Sequence, residues 1–327
     1  MGVKRQYDWP AMKRLRFLVS LITQDNDYQV EQAAAAEDAA RKLGIDAQIF
    51  YADNDSIQQS QQILKFVQCD PEARPDGIIF EPVGGPALPQ VARAAVAAGI
   101  AWVVLNREIG YIKQLRQAFK VPVFAIASDN LEIGRIQGRQ LAALLPKGGS
   151  VLYIQGPSET DACKLRNAGL YETKPANIQI KAMKGTWTES SAFKAVTAWL
   201  RLSTSQQAHI DVMAAQNDAM AAGAKKAFEQ FSYEGEGRDR WVSVPFMGCD
   251  GVPKTGQAWV RSGMLTATVI APPLAGTAVE MLAHALESGL TPPETTLIAP
   301  RSFPALEALV AARNKKSQGA SFSASGD

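Results

Sequence analysis

Short apolar runs and longer mixed segments alternate along most of the chain. Runs such as Leu15–Ile22 and Gly77–Glu81 contain mostly apolar residues, as expected of strands that helices cover on both faces of a parallel sheet. The segments between them, such as Tyr28–Leu43, have helix-like composition and end at a glycine, here Gly44. This alternation predicts an α/β fold.

The alternation occurs as two separate series. The first ends with the predicted strand Ala101–Leu105, and an irregular segment, Arg107–Val121, separates it from a second series that begins at Phe124–Ala127. A chain of 327 residues is also longer than most single hydrophobic cores. The sequence therefore predicts two Rossmann-like lobes, each built on a doubly wound parallel sheet.

Polar residues cluster where the predicted strands end. The segment Asp211–Gly223 is a buried strand that stops at Gln216-Asn217-Asp218 and continues directly into an alanine-rich helix. Open α/β sheets bind small polar ligands at such strand ends, close to helix N-termini. The other polar strand ends are Asn106-Arg107, Ser128-Asp129-Asn130 and Asp250-Gly251. Several polar strand ends together indicate a ligand-binding cleft more than a single catalytic group.

The composition argues against several classes of function. Hydrophobic residues make up 46% of the chain, and a net charge of +2 leaves no electrostatic argument for nucleic acid. No apolar run approaches the roughly 18 residues that cross a bilayer, so we expect no membrane insertion. The run Phe17–Ile22 is too short for a signal peptide and fits the first strand better. A cytoplasmic protein and a removed signal are the two alternatives.

The chain shows no catalytic or metal-binding signature. It lacks a Walker-type glycine loop, a G-x-S-x-G elbow and an H-E-x-x-H motif. His209 and His284 have no spacing that indicates a base or a ligand, and Cys69, Cys163 and Cys249 are best explained as core thiols. We therefore expect no catalytic residue, no metal and no cofactor.

The remaining candidate residues are suited to holding a polyol. A sugar has an apolar ring face and a rim of hydroxyl groups that donate and accept hydrogen bonds. Flat aromatic side chains fit the face, and amide, carboxylate and guanidinium groups fit the rim.

Four motifs, in order and spacing, resemble the type I periplasmic binding proteins of the ribose- and galactose-binding class. The effector domains of LacI-type repressors share the pattern, and the resemblance covers roughly Leu15 to Arg313. The motifs are Ala127-Ser128-Asp129-Asn130 with Gly134, Gln216-Asn217-Asp218-Ala219-Met220, Gly248-Cys249-Asp250-Gly251 and Leu265-Thr266-Ala267-Thr268.

The resemblance implies a set of ligand-binding residues, with Tyr28 and Trp187 enclosing the ring from opposite lobes. For Arg166, a solvated helix face is a competing explanation. Asn217 could cap the following helix, but Asp218 is the better capping candidate, which would leave Asn217 for the ligand. Asp129 and Asn130 fit a helix cap better than ligand contacts. The implied residues are Asn26, Tyr28, Asn106, Arg107, Arg166, Trp187, Asn217 and Asp250.

The resemblance also implies a hinge at three crossing segments, which here lie near Ala125–Asp129, Ile270–Pro273 and Gly289–Thr295. The N-terminal lobe would then comprise residues 14–127 and 272–290, and the C-terminal lobe residues 128–271 and 291–313. Residues 1–13 and 314–327 are expected to be flexible termini.

The sequence departs from the ribose-binding pattern at three positions. Asn106 replaces an aspartate, Gln29 replaces a second aromatic residue, and Ala271 replaces a glutamine. Together with Arg107 and Arg166, these changes predict spare positive charge in the pocket. We therefore expect a preference for an acidic or otherwise different sugar over ribose.

The leading hypothesis is a monomeric, non-enzymatic receptor that captures a small carbohydrate-like ligand by hinge closure and presents it to an ABC-transporter permease or a chemoreceptor. The resemblance implies a periplasmic location. The alternative is a cytoplasmic sugar-sensing regulatory domain without its own DNA-binding module, since few residues precede the first predicted strand. An enzyme is disfavoured because the glycine fingerprint and a catalytic base are missing.

Overall fold

The computed structural model describes residues 14–84, 87–107, 109–206, 208–231, 241 and 243–323, with side chains omitted at 206 and 315–323. Two parallel sheets organise these residues, each covered by helices, so the predicted α/β architecture with two lobes is confirmed.

The first lobe contains a six-stranded parallel sheet with the order β11-β5-β4-β3-β1-β2. Its strands are β1 (Arg16–Leu21), β2 (Asp46–Tyr51), β3 (Gly77–Phe80), β4 (Ala101–Leu105), β5 (Val123–Ser128) and β11 (Thr295–Ile298). Its helices are α1 (Asp27–Leu43), α2 (Ser56–Val67), α3 (Pro89–Ala97), α4 (Tyr111–Ala118) and α11 (Ala275–Ser288), with a 3₁₀ turn at Pro71–Ala73.

The second lobe contains a four-stranded parallel sheet with the order β7-β6-β8-β9. Its strands are β6 (Gly149–Gln155), β7 (Ile178–Lys184), β8 (Val212–Ala215) and β9 (Phe246–Met247), and an antiparallel pair, β10 (Thr268–Ile270) and β12 (Arg301–Phe303), adjoins it. The helices are α5 (Asn130–Leu144), α6 (Asp161–Thr173), α7 (Glu189–Leu200), α8 (Ser203–Gln206), α9 (Asp218–Gln230), α10 (Gly256–Arg261) and α12 (Leu306–Ser323).

Apolar side chains fill both faces of each sheet. In β1, Phe17, Val19 and Leu21 pack on one face, and Leu18 packs in a separate cluster on the other. Successive strand residues point to opposite faces, so a strand covered on both sides must be apolar throughout. Each such side chain contributes about 1.5–3 kcal/mol when fully buried. This explains the continuous apolar runs in the sequence.

The chain crosses between the sheets three times. The first crossing follows β5 and the second follows β10, as the resemblance implied. The third lies between β11 and β12, beyond the predicted Gly289–Thr295, because Thr295–Ile298 pairs with β5 in the first sheet. Placing the whole of 291–313 in the second lobe was therefore wrong for these strand residues.

One further expectation differs from the structure. The segment Arg107–Val121 was expected to be irregular, but it contains α4, whose Ile112 and Leu115 are buried. Residues 314–323 continue helix α12, and their flexibility stays a prediction. The expected flexible segments 1–13 and 324–327 lie outside the described residues.

Among the described residues, no helix is long and apolar enough to cross a bilayer. The three cysteines are free thiols, and no group of three or more potential metal ligands occurs in this part of the chain.

Candidate ligand-binding site

A cavity of about 230 Å³ lies between the carboxyl-terminal strand ends of the two lobes. This volume is below the roughly 300–1,000 Å³ typical of sites for drug-sized molecules, so the cavity fits one small ligand. The structure brings all the residues implied by the resemblance to its wall, four from each lobe. These are Asn26, Tyr28, Asn106, Arg107, Arg166, Trp187, Asn217 and Asp250.

The first strand–helix turn contributes Asn26 and Tyr28. The Asn26 Oδ1 atom caps α1 by accepting hydrogen bonds from the backbone N–H groups of Tyr28, at 2.9 Å, and Gln29, at 3.3 Å. The buried Tyr28 hydroxyl donates to the carbonyl of Pro272 at 3.2 Å. Tyr28 therefore links the cavity wall to the second crossing segment.

Glu81, which the sequence analysis did not select, is a buried carboxylate in the same wall. Its Oε1 atom accepts from Asn106 Nδ2 at 2.9 Å, and its Oε2 atom accepts from Gln29 Nε2 at 2.8 Å and Gln32 Nε2 at 3.2 Å. Glu81 directly follows the apolar strand β3, and this position at a strand end could have identified it as a candidate site residue. Its three partners are neutral amides.

Gln32 connects Glu81 to the second crossing. Its Oε1 atom accepts hydrogen bonds from the backbone N–H groups of Leu274, at 2.6 Å, and Ala275, at 2.8 Å. Gln32 is fully buried, so both ends of its amide are used inside the protein.

Arg166 is buried on α6, which rules out the solvated helix face. Its Nε atom donates to Asn130 Oδ1 at 3.0 Å, and its Nη1 atom donates to the carbonyl of Gln216. The guanidinium carbon lies 5.5 Å from the centroid of the Trp187 ring, and Nη1 lies 4.0 Å from Asp250 Oδ1. Arg166 is thus fixed by protein groups on several sides.

Asn217 lines the cavity as predicted, but it also takes the capping role that was predicted for Asp218. Asn217 is the residue that caps α9, with Oδ1 accepting from Met220 N at 2.9 Å. Its Nδ2 atom donates to the carbonyl of Trp187 at 2.8 Å. Asp218 lies in the first turn of α9, where its carboxylate accepts from Thr268 Oγ1 at 2.7 Å and Gly251 N at 2.8 Å. The expected cap at Asp129 is confirmed by its bond from Glu132 N.

Asp250 lies at the end of the second sheet, beside Ile270 of β10. Burial, together with the charges of Glu81 and Asp27, raises its pKa to about 7, although Arg166 acts in the opposite direction. Burial also raises the pKa of Asp218 well above its usual value. The cavity therefore holds a carboxylate that titrates close to neutral pH.

Four of the wall residues have left-handed backbone conformations that favour glycine. The φ angles are +63° at Asn54, +61° at Asn106, +67° at Trp187 and +103° at Asp250. Such conformations cost about 1–3 kcal/mol each and cluster at functional sites. Their concentration in one cavity indicates that the wall is shaped for a ligand.

The charges of the cavity do not support the expected spare positive charge. Asn106 replaces an aspartate of the ribose-binding pattern, which had suggested that a negative charge was missing. Glu81, which is hydrogen-bonded to Asn106, supplies a negative charge at this place. The cavity wall contains two guanidinium groups, Arg107 and Arg166, and four carboxylates, of which Asp25 and Asp161 are exposed at the rim. The basis for a preference for acidic sugars is therefore removed.

Comparisons with known proteins agree with this geometry. A family model described as a periplasmic binding protein domain matches residues 17–290. The chain is 32% identical over 202 residues to a putative rhizopine-binding protein of Rhizobium meliloti, and the match covers 59% of this chain and 60% of that protein. It is 26% identical over 285 residues to the D-allose-binding periplasmic protein of Escherichia coli K12, covering 85% of this chain and 87% of that protein.

A solved structure shows the same fold. The ABC transporter solute-binding protein of Actinobacillus succinogenes, solved with bound D-allose, matches with a TM-score of 0.76 at 21% identity and covers 90% of this chain and 99% of that chain. Since the family model spans most of the sequence, the chain belongs to the periplasmic binding protein family.

Proposed function

We propose that the protein is a receptor for a small sugar-like polyol, which it holds between its two lobes. Family membership supports a binding role. The Escherichia coli relative is named for D-allose binding, and the structural neighbour was solved with bound D-allose. The observation that carries the proposal is the cavity itself, to which both lobes contribute aromatic and hydrogen-bonding side chains.

The chemistry of the wall fits a polyol. Tyr28 and Trp187 offer flat surfaces from opposite lobes, and amides, carboxylates and guanidinium groups offer donors and acceptors. A wrong epimer would leave a buried polar group unpaired at a cost of about 1–3 kcal/mol. Selectivity among similar polyols follows from this cost.

Binding without turnover is part of the proposal. The described residues that line the cavity include no histidine, cysteine, lysine or serine. The buried and partly buried carboxylates of the wall contact protein groups, because Glu81 accepts hydrogen bonds from three amides and Asp250 lies 4.0 Å from Arg166. The carboxyl group of Asp250, whose pKa is about 7, lies beside Arg166 and would contact a hydroxyl group of the ligand.

We further propose that the protein works as a monomer in the periplasm and presents its closed form to an ABC-transporter permease or a chemoreceptor. The family match and the named relatives support this role. Immunodetection in fractionated cells and size-exclusion chromatography test the location and the monomer. A cytoplasmic pool alone would favour the sensing alternative.

A thermal-shift panel of pentoses, hexoses, polyols, amino sugars and sugar acids tests the binding proposal. A ligand at 100 times its Kd should add about 2.7 kcal/mol to the free energy of unfolding. Calorimetry then measures the affinity of each compound that responds. A flat response across all classes would contradict the proposed function.

The variant Trp187→Ala tests the site. We expect affinity for the best ligand to fall by at least 100-fold while far-UV circular dichroism stays unchanged, because the ring is only partly buried and faces the cavity. Tyr171→Ala is the matched control, since Tyr171 is 51% exposed and lies outside the cavity. Unchanged affinity in Trp187→Ala would remove this residue from the site.

A further inference from the structure

On the first-lobe side of the cavity, Glu81 and Asn106 place two hydrogen-bond acceptors side by side, while the guanidinium of Arg107 also belongs to this wall. Glu81 is 5% exposed, and its carboxylate is held only by neutral amide donors from Gln29, Gln32 and Asn106. No ion pair within the described residues involves Glu81. Its negative charge therefore has no bonded cation and acts on the cavity.

Asn106 adds a second acceptor next to this carboxylate. An ionised carboxylate only accepts hydrogen bonds, so Asn106 must present its Nδ2 atom to Glu81. The amide orientation is thereby fixed, and the Oδ1 atom is left as a buried acceptor with no partner. An unpaired buried acceptor costs roughly 1–3 kcal/mol, which a donor on the ligand would recover.

The opposite lobe does not cancel this negative charge. Arg166 donates hydrogen bonds from Nε to Asn130 and from Nη1 to the carbonyl of Gln216. Its Nη1 atom lies 4.0 Å from Asp250 Oδ1. Burial and the charge of Glu81 raise the pKa of Asp250 despite that arginine. A cation placed in the cavity would relieve both carboxylates.

We propose that the natural ligand is a polyol carrying a positively charged amino group, and that this ammonium binds against Glu81 Oε1 and Asn106 Oδ1. The inference rests on the proposed function and names the chemical class of its ligand. A hydroxyl group supplies one donor, whereas an ammonium supplies three and forms charge-assisted bonds about twice as strong as neutral ones.

Calorimetry with matched ligand pairs tests the inference. Each pair consists of a neutral parent, its amino derivative and the N-acetylated amine, such as glucose, glucosamine and N-acetylglucosamine, or an inositol and its aminodeoxy derivative. For the scaffold that binds best, we expect the amine to bind at least 10-fold more tightly than the parent. Acetylation should abolish the gain, because it removes the charge.

Two variants identify the acceptor. Glu81→Gln keeps the size of the side chain and removes the charge, and we expect it to reduce the ratio of amine affinity to neutral-parent affinity by at least 10-fold. Glu159→Gln is the control for a general charge effect, since Glu159 is exposed and lies outside the cavity wall. It should change either affinity by less than 3-fold.

The outcomes separate this inference from the proposed function. A neutral parent that binds as tightly as its amine overturns the inference and leaves a sugar receptor. Equal loss of both ligands in Glu81→Gln also overturns it. Failure of every compound to bind the wild-type protein contradicts the proposed function itself. The wild-type ligand pairs decide the question even if Glu81→Gln does not fold.

Discussion

Several polar side chains in the cavity wall are held by hydrogen bonds to neighbouring protein groups before a ligand arrives. Asn130 holds Arg166, Asn217 holds the backbone of Trp187, and Asn106 is held by Glu81. Ordering such long side chains during binding would cost about 0.5–1.5 kcal/mol each, so their prior fixation favours affinity. At the scale of single residues, the site is preorganised by amides.

The variant Asn217→Ser separates capping from positioning. Serine is a good helix cap, so we expect the free energy of unfolding to change by less than about 1 kcal/mol. The shorter side chain is unable to reach the carbonyl of Trp187, and affinity should fall by at least 10-fold. Urea unfolding and calorimetry measure the two quantities. Unchanged affinity would show that the Asn217–Trp187 bond does not position the ring.

Single residues also show where sequence reasoning succeeds and fails. Asn106, Arg107, Asn217 and Asp250 were noticed because the apolar pattern stops at these positions. The family resemblance supplied the other four candidates, and all eight lie at one cavity.

The cap of α9 was assigned to Asp218 instead of Asn217, because both residue types cap helices well and only the backbone conformation distinguishes them. Asn217 is extended, with a φ of −150°, and the helix starts at Asp218. Glu81 was missed because the predicted strand Gly77–Glu81 included it, whereas β3 ends at Phe80.

At the scale of elements, α5 and α6 approach closely through glycines. A Cβ atom on Gly134 would lie 2.1 Å from the carbonyl oxygen of Arg166, and one on Gly169 would lie 2.0 Å from the carbonyl oxygen of Leu131. Helix α6 carries Arg166 into the cavity. The position of this arginine therefore depends on small residues in the neighbouring helix.

Gly134→Ala should push α6 away from α5. Overpacking costs about 1–3 kcal/mol, so we expect a loss of stability of this size and an affinity at least 10-fold lower. Gly110→Ala is the control, because a Cβ atom there meets nothing within 4 Å and its φ of −63° suits alanine. Chemical denaturation with calorimetry compares the two variants. Equal behaviour would contradict the close approach.

Elements differ in how well the sequence predicts them. Most long helices and buried strands were predicted within a few residues, because their apolar patterns are strong, but helix α12 was not predicted. Helix α4 was missed because it has only eight residues and buries only Ile112 and Leu115. Strand β11 was misplaced because its partly exposed side chains do not indicate which sheet it joins, and only its pairing with β5 decides this.

At the scale of the whole molecule, stability should depend on the proton held by Asp250. Its pKa is about 7 in the folded protein and near 3.8 when unperturbed, so the folded state binds more protons between these values. The stabilisation is fully present below about pH 4 and is lost as the pH rises through about 7. The slope is at most about 1.4 kcal/mol per pH unit.

Urea unfolding of the wild type and Asp250→Asn from pH 4 to 8 checks this dependence. The difference in unfolding free energy, wild type minus variant, should fall as the pH rises to about 7 and then level off. Taking the difference removes the contributions of other carboxylates that both proteins share, provided that Asp218 titrates alike in both. A difference that rises with pH would contradict the raised pKa.

The amide of Gln32 gives the molecule a constraint that reaches beyond binding. It donates to the cavity carboxylate Glu81 and accepts from the backbone at Leu274 and Ala275, where the chain has just crossed between the lobes. Any redesign of Glu81 for a new ligand therefore also changes the support of this crossing. A biosensor built on this scaffold would need its ligand specificity and its opening equilibrium to be retuned together.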